Sequence, residues 1–419
     1  MKMPTRHIPQ IIICTLAFLI GNTGNCCAEP SNWPGFRGKG NSRSSLDNLP
    51  VNWSVNQGIL WKTAITGFGQ SSPTIWGHHV YVTSTGGKNK ESLFLECLDL
   101  ASGKVIWKRT IEATEKVKEV TSMISQGAPT PVTGPKGIYV FFESGDLLAF
   151  DHDGKRRWDR SLTREFGKFK GGHGIGSSLV GVPGELILLI DHEGPSYLIC
   201  VDRLTGKTRW KTPRKPRVSW TTPLYLKHKG EEQIIISSNG TIEGYRLTDG
   251  KKIWWFNDIQ KNTVASPSSA NGLIFAASSY PKQSLAIRLG GKGDISDTHL
   301  EWRAKSVTSS FASPLIDQNL VFFINRAGTL QTQRIEDGTQ CWEHKLPDGC
   351  WASPLAAAGK IYLFCKNGTS LVMEASALEP KVIAENAIPV NEGDKVYGYA
   401  VSENKFILRT GTAITCIGK

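Results

Sequence analysis

The sequence predicts an all-β chain, one eight-bladed β-propeller of four-stranded antiparallel blades closed by its own N-terminal strand. Three observations lead there. A phrase ending in Trp recurs at a spacing of about 40–50 residues, which is the period of a propeller blade. Short β-branched and aromatic runs bounded by Gly, Asn, Asp and Ser lie between its copies and read as strands and hairpins. A small-residue, usually Pro-containing opening precedes each copy.

The phrase reads LECLDLASGKVIWK at 95–108, LLAFDHDGKRRWD at 147–159, LICVDRLTGKTRWK at 198–211 and IEGYRLTDGKKIWW at 242–255. Looser copies end at Trp302 and Trp342. Its Asp caps its own backbone, and its Gly supplies the positive φ of a tight turn. The Trp falls at a constant offset, so Trp61, Trp107, Trp158, Trp210, Trp254, Trp302 and Trp342 are expected to wedge between neighbouring blades. The seventh copy, MEASALEPKVIAEN, has Val382 near the Trp position.

The openings are Ser72-Pro73, Ala128-Pro129, Ser177-Ser178, Thr222-Pro223, Ser266-Pro267, Ser313-Pro314 and Ser353-Pro354, with a weaker eighth at Tyr399-Ala400. Strand runs such as HVYVTS at 79–84 and EQIIISSNG at 232–240 follow them. The eighth unit, 397–419, ends without a Trp strand, whereas 59–65 (ILWKTAI) has one and no blade of its own. Pairing the two closes the ring and removes exposed sheet edges. The propeller is therefore expected over 59–419, after a lead-in at 29–58. Two insertions interrupt the period: 111–126 is charged and suggests a short helix, and 160–175 is basic and Gly-rich and suggests a loop.

Residues 1–28 read as a secretory signal, with Lys2 and Arg6 before the apolar run at 11–20 and small residues up to Ala28. Cleavage near Ala28 would make the protein periplasmic or extracellular, and the apolar run is short for a transmembrane span. Of nine Cys, six lie beyond that point. Cys97, Cys200 and Cys416 share one repeat position and are expected to pack as small apolar side chains. Cys341 and Cys350 are close enough in sequence for a disulfide.

The formal charge is +12. That balance suits an acidic partner, although the charges are scattered as on a solvated surface. No nucleic-acid module or phosphate-binding loop is present in the sequence, so nucleic acid is not expected. Residues just before the openings should ring one channel mouth; Gln126, His173, Trp220 and Trp351 are the candidates, with Gln70, Phe311 and Tyr399 beside them. Lys168, Lys170, Lys211, Arg214, Lys215 and Arg217 form a candidate basic patch. No catalytic residue and no metal ligand is assigned.

The phrase D-x-x-T-G-K-x-x-W, complete at 202–210, together with the Ser-Pro openings, resembles the pyrroloquinoline quinone (PQQ) repeat of eight-bladed propellers. The stretch NWPGFRGKGNSRSS at 32–45 is similar to the lead-in of exported members. The resemblance implies one of two branches. Quinoprotein dehydrogenases hold PQQ and calcium in the channel beneath an adjacent Cys-Cys pair. The other branch, similar to the BamB assembly scaffold, is non-catalytic and needs no cofactor. Here the adjacent pair, Cys26-Cys27, falls in the signal segment, and no carboxylate set stands at the openings. The expectation is thus an exported, monomeric, cofactor-free binding platform for a protein, an anionic polymer or a polysaccharide. A PQQ- and calcium-dependent alcohol or sugar dehydrogenase is the first alternative, and a carbohydrate- or polyanion-binding module is the second.

Overall fold

A computed structural model describes residues 32–117 and 124–419, together with Met1. The expected signal segment with Cys26-Cys27 and the middle of the first insertion lie outside the described residues.

Eight antiparallel sheets form the ring. Blades 1 to 7 span 74–112, 132–161, 180–214, 224–256, 268–303, 315–345 and 355–387. Blade 8 combines 396–417 with Ile59–Ala64. In that closure Ile59 pairs with Ile417, Trp61 with Cys416 and Ala64 with Ala413. Each blade runs outward from an inner strand to an outer strand, which carries the Trp in every blade but the seventh. The apolar residues of the middle strands are buried, and they form the packing between adjacent blades.

The openings are the hub of the ring. The backbone N–H of Ser72 donates to Thr130 Oγ1, that of Thr130 to Ser178 Oγ, and that of Ser178 to Thr222 Oγ1, each at 3.0 Å. The chain continues from Thr222 to Ser266, from Ser266 to Ser313 and from Ser313 to Ser353 at 2.9–3.0 Å. A hydroxyl there lets each blade satisfy a buried amide of its neighbour. Two openings therefore shift from the sequence reading. Blade 2 opens at Thr130-Pro131 and not at Ala128-Pro129. Blade 8 opens at Gly398, where a Cβ would lie 2.2 Å from Ser72 Oγ, and not at Tyr399-Ala400.

At the outer edge, the indole N–H groups of Trp61, Trp107, Trp158, Trp210, Trp302 and Trp342 donate to backbone carbonyls of the following blade, at Leu100, His152, Arg203, Leu247, Ile335 and Ser376. The ring of Trp158 covers Gly206 of the next blade so closely that a Cβ would sit 2.7 Å from it. The turn glycine thus answers to its neighbour's Trp as well as to φ. Trp254 behaves differently: it folds over Gly244 of its own blade and donates to Gln233. Its blade is joined to the next by parallel pairing of Trp254 and Trp255 with Gly293 and Asp294. Blade 7 lacks a Trp, and the lead-in supplies one. Trp53 is buried against Phe406 and beside Gly58, while Asn386 of blade 7 accepts from its backbone N–H.

The second insertion is not all loop. Leu162–Phe166 is a short helix capped by Ser161, which accepts from the Arg164 N–H. The first insertion begins as an extension of the outer strand through Glu112. The cysteine expectation also changes. All six described cysteines are free, Cys341 sits on the outer strand of blade 6, and the sulfur beside Cys350 is that of Cys365, 3.6 Å away.

Candidate functional site: the open channel mouth

All inner strands run the same way along the axis, so residues before the Ser/Thr ring lie at one mouth and residues after it at the other. The second mouth is filled by the lead-in. Trp33 exchanges backbone hydrogen bonds with Ile75 of blade 1, and Pro34 accepts from Thr133 of blade 2. The chain turns at Arg37–Gly40 and then pairs Arg43 and Ser44 with Ala356 and Ala357 of blade 7. At the turn, the buried Arg37 guanidinium donates to Ser42 Oγ, Pro267 O, Ser268 Oγ and Pro314 O. It thereby ties the lead-in to blades 5 and 6. Burial lowers its pKa to about 10, since no carboxylate compensates for the lost water. Between this plug and blades 2 to 5 remains a cavity of about 280 Å³.

The other mouth is left open by the described residues and carries two groups of candidates. On one side Trp351 stacks on Phe311 with centroids 5.0 Å apart and meets Tyr397 at 5.2 Å; Tyr397 in turn meets Phe68 at 5.8 Å. The Lys395 ammonium stands 5.3 Å from the Trp351 ring. All four rings are half-buried, so each keeps a face or an edge at the surface. On the other side the exposed His173 ring lies edge-on to Trp220 at 5.8 Å, and Trp220 donates to Gly174 O. Gln126 exchanges hydrogen bonds with Gln70 through its backbone, one of them to the Gln70 side chain. No ring contact joins the two groups among the described residues. Tyr399, expected here, is instead buried at the plugged end against Trp33, and Tyr397 takes its place. The eighth opening falls at Gly398, so Tyr397 stands before the Ser/Thr ring and Tyr399 after it.

Both insertions rise on the open face. Lys168 of the second pairs with Glu115 of the first at 2.8 Å. Below them a cavity of about 260 Å³ has a buried Lys90–Glu143 ion pair in its wall. The proposed basic patch is divided. Arg214 is buried and bound to Asp191 and Glu243, which hold its pKa above the usual value, so it presents no charge outward. Lys211 rests on the Phe166 and Tyr197 rings. Lys170 and Arg217 meet the turn at 191–195, and the exposed Lys215 accepts from the Arg217 guanidinium on its carbonyl. The turn's His192 accepts the Lys170 N–H on Nδ1, and its carbonyl accepts the Arg217 N–H. With Nδ1 also accepting from Gly194 and Nε2 facing Pro195 O, His192 is the neutral tautomer protonated at Nε2. Burial pushes its pKa below the usual histidine range.

Calcium needs several converging oxygen ligands, usually with carboxylates among them. No group of three or more His, Cys, Asp or Glu side chains is placed to hold a metal ion among the described residues. At the mouth, Asp394 is committed to the backbone N–H groups of Lys395, Gly411 and Thr412. Among the described residues this mouth therefore gathers no carboxylate cluster of the kind calcium uses.

Comparison with known proteins places the chain. The sequence model of the family described as outer membrane protein assembly factor BamB matches residues 51–172 and 238–388, more than half of the chain. The chain belongs to this PQQ-like, BamB-like propeller family. A curated relative, the outer membrane protein assembly factor BamB of Moranella endobia, is 26% identical over 204 residues. That match covers 48% of this chain and 46% of the relative, about half the length of each. Among solved structures, BamB from Moraxella catarrhalis superposes with a TM-score of 0.59 at 13% identity, covering 86% of this chain and 97% of the other. A europium-containing methanol dehydrogenase gives 0.60 at 11% identity, covering 90% and 89%. A computationally designed protein, Ika8, gives 0.58 at 12% identity, covering 84% and 98%. These likenesses establish the fold. Among the described residues no helix is long and apolar enough to cross a membrane.

Proposed function

We propose that this is an exported, non-catalytic binding propeller that holds a segment of a protein partner at its open mouth, as an assembly scaffold would. The observation that carries this reading is the asymmetry of the channel. The lead-in occupies one end, and the other presents the Phe311–Trp351–Tyr397–Phe68 arc beside Lys395, with Lys170, Lys215 and Arg217 further out on the same face. Half-buried aromatics at the centre of a surface with basic groups beyond them match the make-up of protein-binding hot spots. The partner segment suited to it has an apolar or aromatic anchor and acidic flanks. BamB relatives, named as assembly factors, favour a protein over a polysaccharide.

Photo-crosslinking in an envelope fraction tests it. A crosslinking side chain at 351 or 397 should trap a discrete partner, while one at the exposed Val382 on the outer strand of blade 7 should not. Equal trapping from both places would sink the proposal. The fold shared with methanol dehydrogenase favours the alternative of a PQQ- and calcium-dependent dehydrogenase. Stoichiometric PQQ binding with turnover of an alcohol or sugar would establish that alternative.

A further inference from the structure

We propose that Cys350 and Cys365 are a disulfide site that is closed while the chain folds and that fixes the loop carrying Trp351. The two sulfurs lie 3.6 Å apart in a buried pocket. Bonding would bring them closer by about 1.5 Å, within reach of side-chain rotation. Two neighbouring contacts already clamp the same pair of loops: Lys366 N–H donates to Gly349 O at 2.9 Å, and the Lys366 ammonium meets Asp348 at 2.9 Å. The bridge would therefore add a covalent bond to a juncture that the backbone has already aligned. One of its ends is the residue before Trp351, in the stacked arc of the open mouth.

The chemistry is thiol–disulfide exchange with a disulfide carrier of an oxidising compartment. Before blade 7 packs both thiols are reachable, and the Cys365 thiolate serves as first nucleophile, a part Cys350 can take equally. The Cys365 thiolate attacks one carrier sulfur, the carrier's S–S bond breaks, and one carrier thiolate leaves. Cys350 then loses its proton and attacks Cys365 Sγ in the mixed disulfide, releasing the second carrier thiolate. Two protein thiols are oxidised, one carrier disulfide is reduced, and the two protons end on the carrier thiols. Both cysteines are buried in the finished blade, so the exchange takes place before blade 7 packs against its neighbours.

Folding outside the reducing cytosol supplies the oxidant, so in the cell the inference rests on the exported reading. In vitro the oxidant is added, and the two ideas fail separately. The full chain without residues 1–28 is unfolded and refolded in oxidised or in reduced glutathione, then alkylated under denaturing conditions. The oxidised sample should lose about 2 Da before alkylation, by departure of two hydrogens. It should yield one linked peptide pair joining Cys350 to Cys365, with Cys341 alkylated in both samples. Its melting temperature should lie a few degrees (~2–6 °C) above that of the reduced sample. Folded protein from oxidised glutathione with both thiols alkylated, or with Cys341 in the bridge, overturns the proposal. Cys365→Ser, which keeps the loop contacts of Lys366, should abolish the temperature difference.

Discussion

Replacing Arg37 with Ala tests whether the lead-in is an integral plug or a loosely apposed tail. The guanidinium makes four hydrogen bonds, at 3.0 Å to Ser42 Oγ, 3.2 Å to Pro267 O, 2.6 Å to Ser268 Oγ and 3.1 Å to Pro314 O. Hydrogen bonds to a charged group contribute about 1.5–3 kcal/mol each. Their sum overstates the loss, because Ala also removes the cost of burying a cation that has no carboxylate partner. That cost is visible in the depressed pKa of about 10. What remains is buried hydroxyl and carbonyl acceptors without their donor, at about 1–3 kcal/mol for each left unsatisfied, so a net loss of about 3–5 kcal/mol is expected. Arg37→Lys should lose less, since an ammonium keeps the charge but cannot fork to four acceptors. Urea unfolding followed by Trp fluorescence measures the loss. Trypsin cleavage at Lys39 and Arg43 reports whether the plug has come free. A loss under 1 kcal/mol with the lead-in still protected would refute the reasoning.

Two further predictions concern the latch and the basic face. Gly206→Ala should destabilise by about 2–4 kcal/mol, because its φ is +72° and a Cβ would stand 2.7 Å from Trp158. Gly184→Ala, at φ +76° with open space around it, should lose only about 1 kcal/mol, and equal losses in urea unfolding would contradict the latch. For His192, burial makes the folded pKa lower than the unfolded value of about 6.5. The unfolded state therefore binds the extra proton as pH falls. The His192 contribution is complete above about pH 6.5 and is lost as pH drops through the lower folded value. Protonation also removes the acceptor for the Lys170 N–H, so the protection factor at 168–171, the exchange rate relative to the intrinsic rate at the same pH, should fall on acidification and become insensitive to pH in His192→Ala. A protection factor that is flat from about pH 7.5 to about pH 5 in the unaltered protein would contradict this.

The ring was legible in the sequence because its determinants are local and repeated. Asp202 binding the N–H groups of Leu204 and Thr205, a Gly at positive φ and a Trp at fixed offset are each readable within ten residues. The ring closure was legible from the mismatch between a blade without an outer strand and a strand without a blade. What escaped was non-periodic. Trp53 replaces the missing Trp of blade 7 from 333 positions away from its partner Asn386, a distance no repeat pattern encodes. The Arg37 plug escaped for the same reason, although the 32–45 stretch that holds it was singled out. At the mouth, Trp220 and Trp351 follow from the period, while Tyr397 and Lys395 were lost to a misplaced eighth opening, where Gly398 replaces Ser or Thr. Arg214 shows the remaining difficulty. In sequence it is one cation in the run at 211–217, but alternation along its strand turns it inward onto Asp191 and Glu243.

These non-periodic residues are also the ones that give a symmetric ring a direction. Eight similar blades alone would present two comparable mouths and no preferred face. The lead-in breaks that equivalence: it covers the mouth after the Ser/Thr ring and inserts Trp33 where Tyr399 closes one side. The insertions break it again on the opposite face, where Lys168 and Glu115 join them beside the Trp220 side of the mouth. On the proposed reading a partner approaching along the axis would meet aromatic and basic groups from one direction and the lead-in from the other. The Trp-terminated repeat fixes the ring, and the segments outside the repeat make its two faces different.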